Sequence, residues 1–221
     1  MAQAAARMPA ELSVDELFDY AALEASPLRT DPYDHVLVEQ FVTERAQPLL
    51  VRDYPEIAGP GNVEPGDVPQ GPTFDVLLQE LESERFRDAI GAKFRLDLSQ
   101  TEPTIGLRSL AEATDGRIHH DHRSKLITLL LYFNERWDAP GGKLRICRNE
   151  HDIEDYTTEV EPLSGTLIAF RNTATSWHGH KQHVGVRRML QLSFRDMSGT
   201  VGLERKISKM TKPIRRMLNM S

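Results

Sequence analysis

The chain after Leu96 is a series of short apolar segments, and this series limits the fold more than any other feature of the sequence. The segments are rich in β-forming residues and are separated by glycine, proline or short polar stretches, which predicts strands joined by turns. With helices ahead of it, such a series is typical of an antiparallel sandwich or barrel with helices on one face. The predicted strands are residues 104–113, 116–122, 125–134, 142–147, 165–172, 176–181 and 187–195.

The chain before Leu96 is predicted to be mainly helical. Residues 35–41 form one short predicted strand, and residues 43–57 have a helical spacing that Pro48 interrupts. The next stretch, residues 59–72, is dense in glycine and proline and is predicted as a loop. Residues 73–94 repeat apolar side chains at helical intervals, which predicts an amphipathic helix or a helix pair.

The length of 221 residues suits a single domain. We predict that this domain spans residues 31–200. Residues 1–30 are predicted as an N-terminal appendage with a helix capped at Ser13. Residues 201–221 form a basic C-terminal tail, for which a solvated helical face is the preferred interpretation.

Charge and cysteine content narrow the classes of protein. A net charge of -6 opposes binding to a phosphate backbone, so no nucleic-acid partner is expected. Cys147 is the only cysteine, which excludes an intrachain disulfide, and its apolar neighbours indicate a small core residue. No apolar run reaches the length of a signal-peptide core or a membrane span, so a cytoplasmic protein without a membrane span is expected.

The tripeptide His119-His120-Asp121 is the first candidate for chemistry. In a strand, His119 and Asp121 leave the same face and His120 leaves the opposite one. An imidazole and a carboxylate on one face, completed by a second histidine from a distant strand, form the triangle that leaves one side of a non-haem iron open. Taken alone, an H-x-D tripeptide is common by chance, and a pair of surface residues is its ordinary interpretation.

Further motifs follow in order along residues 117–194, namely IHHD, LLLYFNERWDAPGGKLRI, GTLIAFRN and SWHGHKQHVGVRR. With these motifs the region resembles the 2-oxoglutarate/Fe(II) oxygenase superfamily, in particular its prolyl 4-hydroxylase-like group. The resemblance implies a mainly β fold with supporting helices. More closely, it implies a double-stranded β-helix, a jelly-roll or cupin-like barrel, buttressed by N-terminal α-helices.

The same resemblance implies roles for individual residues. It implies three iron ligands, His119, Asp121 and His178. It also implies that Arg187 pairs with the distal carboxylate of 2-oxoglutarate and that Tyr132 donates a hydrogen bond to this carboxylate. A guanidinium suits that role because it offers a carboxylate two parallel hydrogen bonds.

Alternation along residues 187–195 selects Arg187 over its neighbour Arg188. Arg187 shares a strand face with the polar Gln191 and Ser193, whereas Arg188 shares the other face with Leu190, Leu192 and Phe194. The apolar face is expected to pack under the helices. The Arg187 side chain is therefore expected to point into the barrel.

Other polar residues near the motifs are assigned lesser roles. His180 shares a face with His178 and is expected to reach the cosubstrate. His120 and His122 are expected to face away from the metal. Thr128 alternates with Tyr132 and is expected to line the cavity as packing.

The implied reaction uses Fe(II), 2-oxoglutarate and O₂, with ascorbate as a reductant, and hydroxylates an unactivated C–H bond. The carboxylate of Asp121 argues against halogenation, and Ser193 stands where the alkylation-repair branch carries a second arginine. A small molecule or biosynthetic intermediate is the preferred substrate. The alternatives are a prolyl or peptidyl hydroxylase acting on a protein, a cupin-like metal enzyme that does not use 2-oxoglutarate, and a binding module without catalysis.

Overall fold

The computed structural model describes residues 11–197, which form four α-helices and eight β-strands. The helices are α1 (Tyr20–Ala25), α2 (Ala46–Asp53), α3 (Pro72–Leu81) and α4 (Glu84–Phe94). The strands are β1 (His35–Val38), β2 (Thr101–Ala111), β3 (Lys125–Tyr132), β4 (Leu144–Cys147), β5 (Tyr156–Val160), β6 (Leu167–Arg171), β7 (His178–His180) and β8 (Gly185–Asp196). Short 3₁₀ turns lie at Val14–Glu16 and Pro65–Asp67.

The strands form two sheets, and neighbouring strands within each sheet pair antiparallel. The larger sheet has the order β1-β6-β3-β8-β2, and the smaller sheet has the order β5-β4-β7. The prediction of a mainly antiparallel β fold with a few helices ahead of it is confirmed in this coarse form. No helix within residues 11–197 is both long enough and apolar enough to cross a membrane.

The main core lies between the larger sheet and the helices. Strand β8 supplies alternate side chains to it, namely Leu190, Leu192 and Phe194, and the helices supply Leu50, Phe74, Leu77, Phe86 and Ile90. The opposite face of β8 carries Met189, which belongs to a second, smaller cluster with Tyr132 and Ile146. The predicted register of this strand is confirmed, because Arg188 lies toward the helices beside Tyr54.

The helices differ from the prediction in one place and decide between two predicted alternatives in another. Pro48 does not interrupt a helix, because it is the third residue of α2, where a backbone N–H has no partner within the helix. Residues 73–94 are a helix pair rather than one helix. The second helix starts after Ser83, whose Oγ accepts a hydrogen bond from the Phe86 backbone N–H.

The described part of the predicted appendage is integrated into the main core. Leu17, Phe18 and Leu23 are buried in it, and the Phe18 ring stacks on Phe41 with 4.4 Å between centroids. The helix expected after Ser13 is a 3₁₀ turn followed by α1, which Asp19 caps. Residues 11–30 are therefore one side of the core rather than an appendage. The basic tail at residues 201–221 lies outside the described residues, and the remaining domain boundaries stay predictions.

One strand prediction is wrong, and one strand was not predicted. Residues 116–122 are not a strand, because only a single bridge links His119 to His178 and the remainder of the segment is irregular. Strand β5 was not predicted, since its sequence YTTEV has little apolar alternation and follows a charged loop. It pairs with β4 along Leu144–Cys147, and its Thr158 and Val160 side chains are buried.

Candidate metal centre

One backbone bridge brings the two distant histidines together. The His119 N–H donates to the His178 carbonyl over 3.0 Å, and the His178 N–H donates back to the His119 carbonyl over 2.9 Å. Their rings lie 4.4 Å apart between centroids, and Asp121 follows on the same side. One ligand atom from each of these three residues lies within 4.8 Å of the other two. Asp121 and His178 are buried, whereas His119 is exposed, so the triangle is open on the side of His119.

Both imidazoles are oriented by the backbone. The Nδ1 atom of His119 lies 2.9 Å from the Arg117 carbonyl, and that of His178 lies 2.9 Å from the Ser176 carbonyl. Because a carbonyl only accepts, each Nδ1 carries the proton and each Nε2 keeps its lone pair for a metal. Burial, with a contribution from the nearby His119, lowers the pKa of His178 to about 4, so this ring is neutral at pH 7.

The Asp121 carboxylate is held at both oxygens. Lys125 Nζ donates to Oδ1 over 2.5 Å, and Thr128 Oγ1 donates to Oδ2 over 2.7 Å. Burial by itself raises the pKa of Asp121, but the Lys125 charge and these hydrogen bonds outweigh it and hold the pKa below its usual range. Two imidazoles and one carboxylate on one side of a metal are the donor set of non-haem Fe(II) oxygenases, so the residues fit this ion.

A second polar cluster contains Arg187 and Tyr132, which the sequence assigned to the cosubstrate. Arg187 is 4% exposed, and its Nε donates to the Gly142 carbonyl over 2.8 Å. Its Nη2 lies 3.3 Å from Tyr132 Oη, and its guanidinium carbon lies 5.3 Å from the centre of the tyrosine ring. Within residues 11–197 this buried guanidinium forms no ion pair with a carboxylate.

Gly142 allows this arrangement because of its backbone. It has a φ of +80°, and a Cβ atom at this position would lie 2.5 Å from the Trp137 ring. A side chain would therefore displace Trp137, whose Nε1 donates to the Gly141 carbonyl over 2.9 Å. The glycine pair thus keeps the acceptor for Arg187 in place.

His180 shares strand β7 with His178 but lies outside the metal triangle. Burial, followed by the Arg187 charge, lowers the pKa of His180 to about 4, so this ring is also neutral. Its Nδ1 lies 2.8 Å from the Lys181 carbonyl. His180 is absent from the group of metal-binding atoms described for residues 11–197, and its role at the cosubstrate stays a prediction.

Two neighbouring histidines lie outside the triangle, as predicted. The His120 ring packs edge-on against Trp177, with 4.8 Å between centroids, and His122 Nδ1 lies 2.9 Å from Ser124 Oγ. Cys147 is fully buried, and burial raises the pKa of its thiol to about 11, so it remains a protonated core residue.

Two residues near the triangle have contacts that the sequence reasoning missed. Thr128 was assigned to packing, yet it contacts the Asp121 carboxylate directly. Asn172 was not considered, and its Nδ2 donates to Thr128 Oγ1 over 2.9 Å. The sequence held one sign of the Thr128 contact, because Thr128 is the single hydroxyl residue among the aliphatic residues that open the segment LITLLLYF.

Comparison with known proteins bears on this geometry. Residues 109–195 match the family model of the 2OG-Fe(II) oxygenase superfamily. Over this segment the chain is similar to the 2OG-Fe(II) oxygenase superfamily. The matched segment contains the metal triangle together with Tyr132, His180 and Arg187. The match and the metal triangle together support an enzyme whose cofactors are Fe(II), 2-oxoglutarate and O₂.

Solved structures resemble this chain in fold. A prolyl-4-hydroxylase from Pseudomonas putida is 18% identical, with a TM-score of 0.52 over 86% of this chain and 97% of that one. A prolyl 4-hydroxylase from Phytophthora capsici is 18% identical, with a TM-score of 0.53 over 80% of this chain and 65% of that one. At such identities the likeness concerns the fold alone. No curated protein matches the sequence.

Proposed function

We propose that the protein is an Fe(II)- and 2-oxoglutarate-dependent hydroxylase whose iron is held by His119, Asp121 and His178. The observation that carries this proposal is the triangle of ligand atoms within 4.8 Å, with two oriented imidazoles and one ionised carboxylate. The open side of the triangle leaves room for a chelating cosubstrate and for O₂. A cupin-like enzyme without 2-oxoglutarate is less favoured, because it gives Arg187 no role.

We also propose that the two sheets close into the double-stranded β-helix of this family, with α2, α3 and α4 as a buttress. The backbone bridge between His119 and His178 supports closure, because it joins β7 of the smaller sheet to the segment that leads into β3 of the larger one. The shared core of helix and sheet residues supports the buttress. In this fold the metal lies inside the barrel.

Arg187 and Tyr132 are proposed to bind the distal carboxylate of 2-oxoglutarate. A buried guanidinium without an anionic partner is costly, since desolvation of a charge costs several kcal/mol. A carboxylate from the cosubstrate would offset this cost through a charge-assisted pair of hydrogen bonds. His180 is proposed to line the same site. The ascorbate requirement and the cytoplasmic location stay predictions.

The chemistry divides between the metal and the protein. When bound, Fe(II) supplies the redox chemistry that couples the decarboxylation of 2-oxoglutarate to hydroxylation, so that R–H, O₂ and 2-oxoglutarate give R–OH, succinate and CO₂. The triangle holds the metal from one side, and Arg187 orients the cosubstrate by its far carboxylate. Burial of Tyr132 and Arg187 excludes water from this end of the site.

The cavity beside Asp121 supports a small polar substrate. A cavity of about 600 Å³ lies between β2, β8 and residues 62–66, within the size range of small-molecule sites. Lys125 and Ser193 line it, and both belong to the hydrogen-bond network of Asp121, so its wall adjoins the metal triangle. The other polar residues of the lining include Asn62, Glu64, Glu82, Thr104, Gln191 and Arg195. The alternative of a prolyl residue in a protein rests on the fold of the Pseudomonas putida and Phytophthora capsici enzymes.

The cofactor assignment is tested by anaerobic titration of the purified apoprotein with Fe(II) and 2-oxoglutarate. We expect a weak visible charge-transfer band when both are present, because 2-oxoglutarate chelated to Fe(II) absorbs there. The same titration with succinate, which lacks the keto group, should give no band and is the control. Iron binding without the band would overturn the role of 2-oxoglutarate and favour the cupin-like alternative.

The substrate assignment is tested by succinate formation in the presence of two panels, small polar molecules and proline-containing peptides. We expect members of the first panel to stimulate turnover. Gly106→Leu should reduce that stimulation about 10-fold, since overfilling a packed site costs 1–3 kcal/mol, while binding of iron and 2-oxoglutarate is unchanged. Gly106 suits this test because it lines the cavity, and a Cβ atom added there would lie at an ordinary contact distance of 3.5 Å from the Asn62 side chain. Stimulation by the peptides alone would support the protein-substrate alternative.

A further inference from the structure

Thr128 occupies a position where a hydroxyl is costly unless it is bonded. It lies in β3 between aliphatic residues and is 1% exposed. Valine has the same shape and suits a buried strand at least as well, whereas an unbonded buried hydroxyl is penalised. The Thr128 hydroxyl is satisfied by the Asp121 carboxylate at 2.7 Å. Its contact with a proposed metal ligand therefore accounts for a polar residue in this strand.

The direction of each hydrogen bond around Thr128 follows from the chemistry of the partners. A carboxylate that binds a metal is deprotonated and only accepts, so the single hydroxyl proton of Thr128 points to Asp121 Oδ2. Thr128 Oγ1 must then accept from its other neighbours, Asn172 Nδ2 at 2.9 Å and Ser193 Oγ at 3.3 Å. Donation thus runs one way, from Asn172 to Thr128 to Asp121.

This direction also fixes the Asn172 side chain. Only the amide nitrogen can donate, so Nδ2 faces Thr128 and Oδ1 faces away. The Oδ1 atom is buried and accepts no hydrogen bond from the described residues. A buried acceptor without a partner costs about 1–3 kcal/mol. The amide therefore keeps its hydrogen bond to Thr128 although its own oxygen stays without a donor among the described residues.

The second oxygen of Asp121 is fixed from another direction by Lys125 at 2.5 Å. With Thr128 on Oδ2 and Lys125 on Oδ1, the carboxylate plane cannot turn without breaking a charge-assisted hydrogen bond. A metal ligand that is already oriented loses less conformational freedom when the metal binds.

We propose that Asn172 and Thr128 form a relay of hydrogen bonds that positions the Asp121 carboxylate for metal binding. The inference rests on the function proposed above, because it concerns the ligand set of that metal. Neither residue belongs to the triangle of ligand atoms, so both are positioning residues that act through Asp121.

The test is the Fe(II) affinity of the apoprotein, measured anaerobically by calorimetry. Thr128→Val keeps the side-chain shape and removes the donor, and we expect iron to bind 10- to 100-fold more weakly, roughly the effect of losing an outer partner of a metal ligand. Thr128→Ser keeps the hydroxyl and should restore most of the affinity. Asn172→Ala, at a half-buried strand end, should weaken binding in the same direction without a core cavity.

Thr157→Val is the matched control, because its hydroxyl is also buried but has no partner among the described residues. It should leave Fe(II) affinity unchanged, and thermal unfolding of each apoprotein checks the fold. Equal affinity of wild type and both relay variants, or an equal loss in Thr157→Val, would overturn the relay while leaving the proposed function standing. If Thr128→Val does not fold, Asn172→Ala decides. Absence of iron binding in the wild type would instead contradict the proposed function.

Discussion

Replacing His178 with alanine is expected to weaken Fe(II) binding by more than about 100-fold, because changes in the outer partners of a ligand already cost 10- to 100-fold. His178 is 5% exposed, its Nδ1 is committed to the Ser176 carbonyl, and its Nε2 is the third donor of the triangle. His119 is the only other histidine in the metal-binding group described for residues 11–197, and no further histidine there can replace His178. The measurement is anaerobic calorimetry, together with thermal unfolding with and without Fe(II), since a ligand of the native state raises its apparent stability.

His120→Ala is the matched control for this variant. His120 lies beside a proposed ligand in sequence, but its ring packs against Trp177 and lies outside the triangle. It should bind iron with nearly wild-type affinity and retain the stabilisation by Fe(II). Iron binding that survives in His178→Ala, or that is lost equally in His120→Ala, would show that the metal is held elsewhere.

The proposed ligands could be predicted because their geometry depends on local alternation and on a single long-range contact. His119 and Asp121 are close in sequence, and only the bridge to His178 needed the folded chain. Even there the prediction of a full strand was wrong. The segment starts at Gly116, which has a φ of +86°, and ends at the turn that follows Asp121. Between these limits only His119 pairs with another strand, so the extended pairing is shorter than the sequence pattern predicts.

The hydrogen-bond relay could not be predicted because its members come from separate elements. Thr128 lies in β3, Asn172 follows β6 and Ser193 lies in β8. Their contacts depend on the order of strands in the larger sheet, where β3 lies between β6 and β8. Residue alternation places Thr128 on a face, but it does not name the partners across that face. Strand β5 was missed for a related reason, since its pairing with β4 rather than its composition makes it a strand.

Arg187→Met is expected to weaken 2-oxoglutarate binding about 10- to 100-fold, since hydrogen bonds to a charged group contribute 1.5–3 kcal/mol. Methionine keeps an unbranched apolar side chain and removes the charge and the paired donors. Fe(II) affinity in the absence of 2-oxoglutarate should be unchanged, because Arg187 is not part of the metal triangle. The measurement is titration of the charge-transfer band with 2-oxoglutarate at saturating Fe(II), which separates cosubstrate binding from metal binding.

Arg188→Met tests the strand register with the same substitution one residue further on. Arg188 lies on the opposite face of β8, with its guanidinium carbon 5.9 Å from the centre of the Tyr54 ring, on the side of the helices. Its loss should change 2-oxoglutarate affinity by less than about threefold, as expected for a site remote from the ligand. If Arg188→Met had the larger effect, the face of β8 that binds the cosubstrate would be the opposite one. An equal and small effect of both would mean that the buried guanidinium of Arg187 is a structural group and that another residue binds the distal carboxylate.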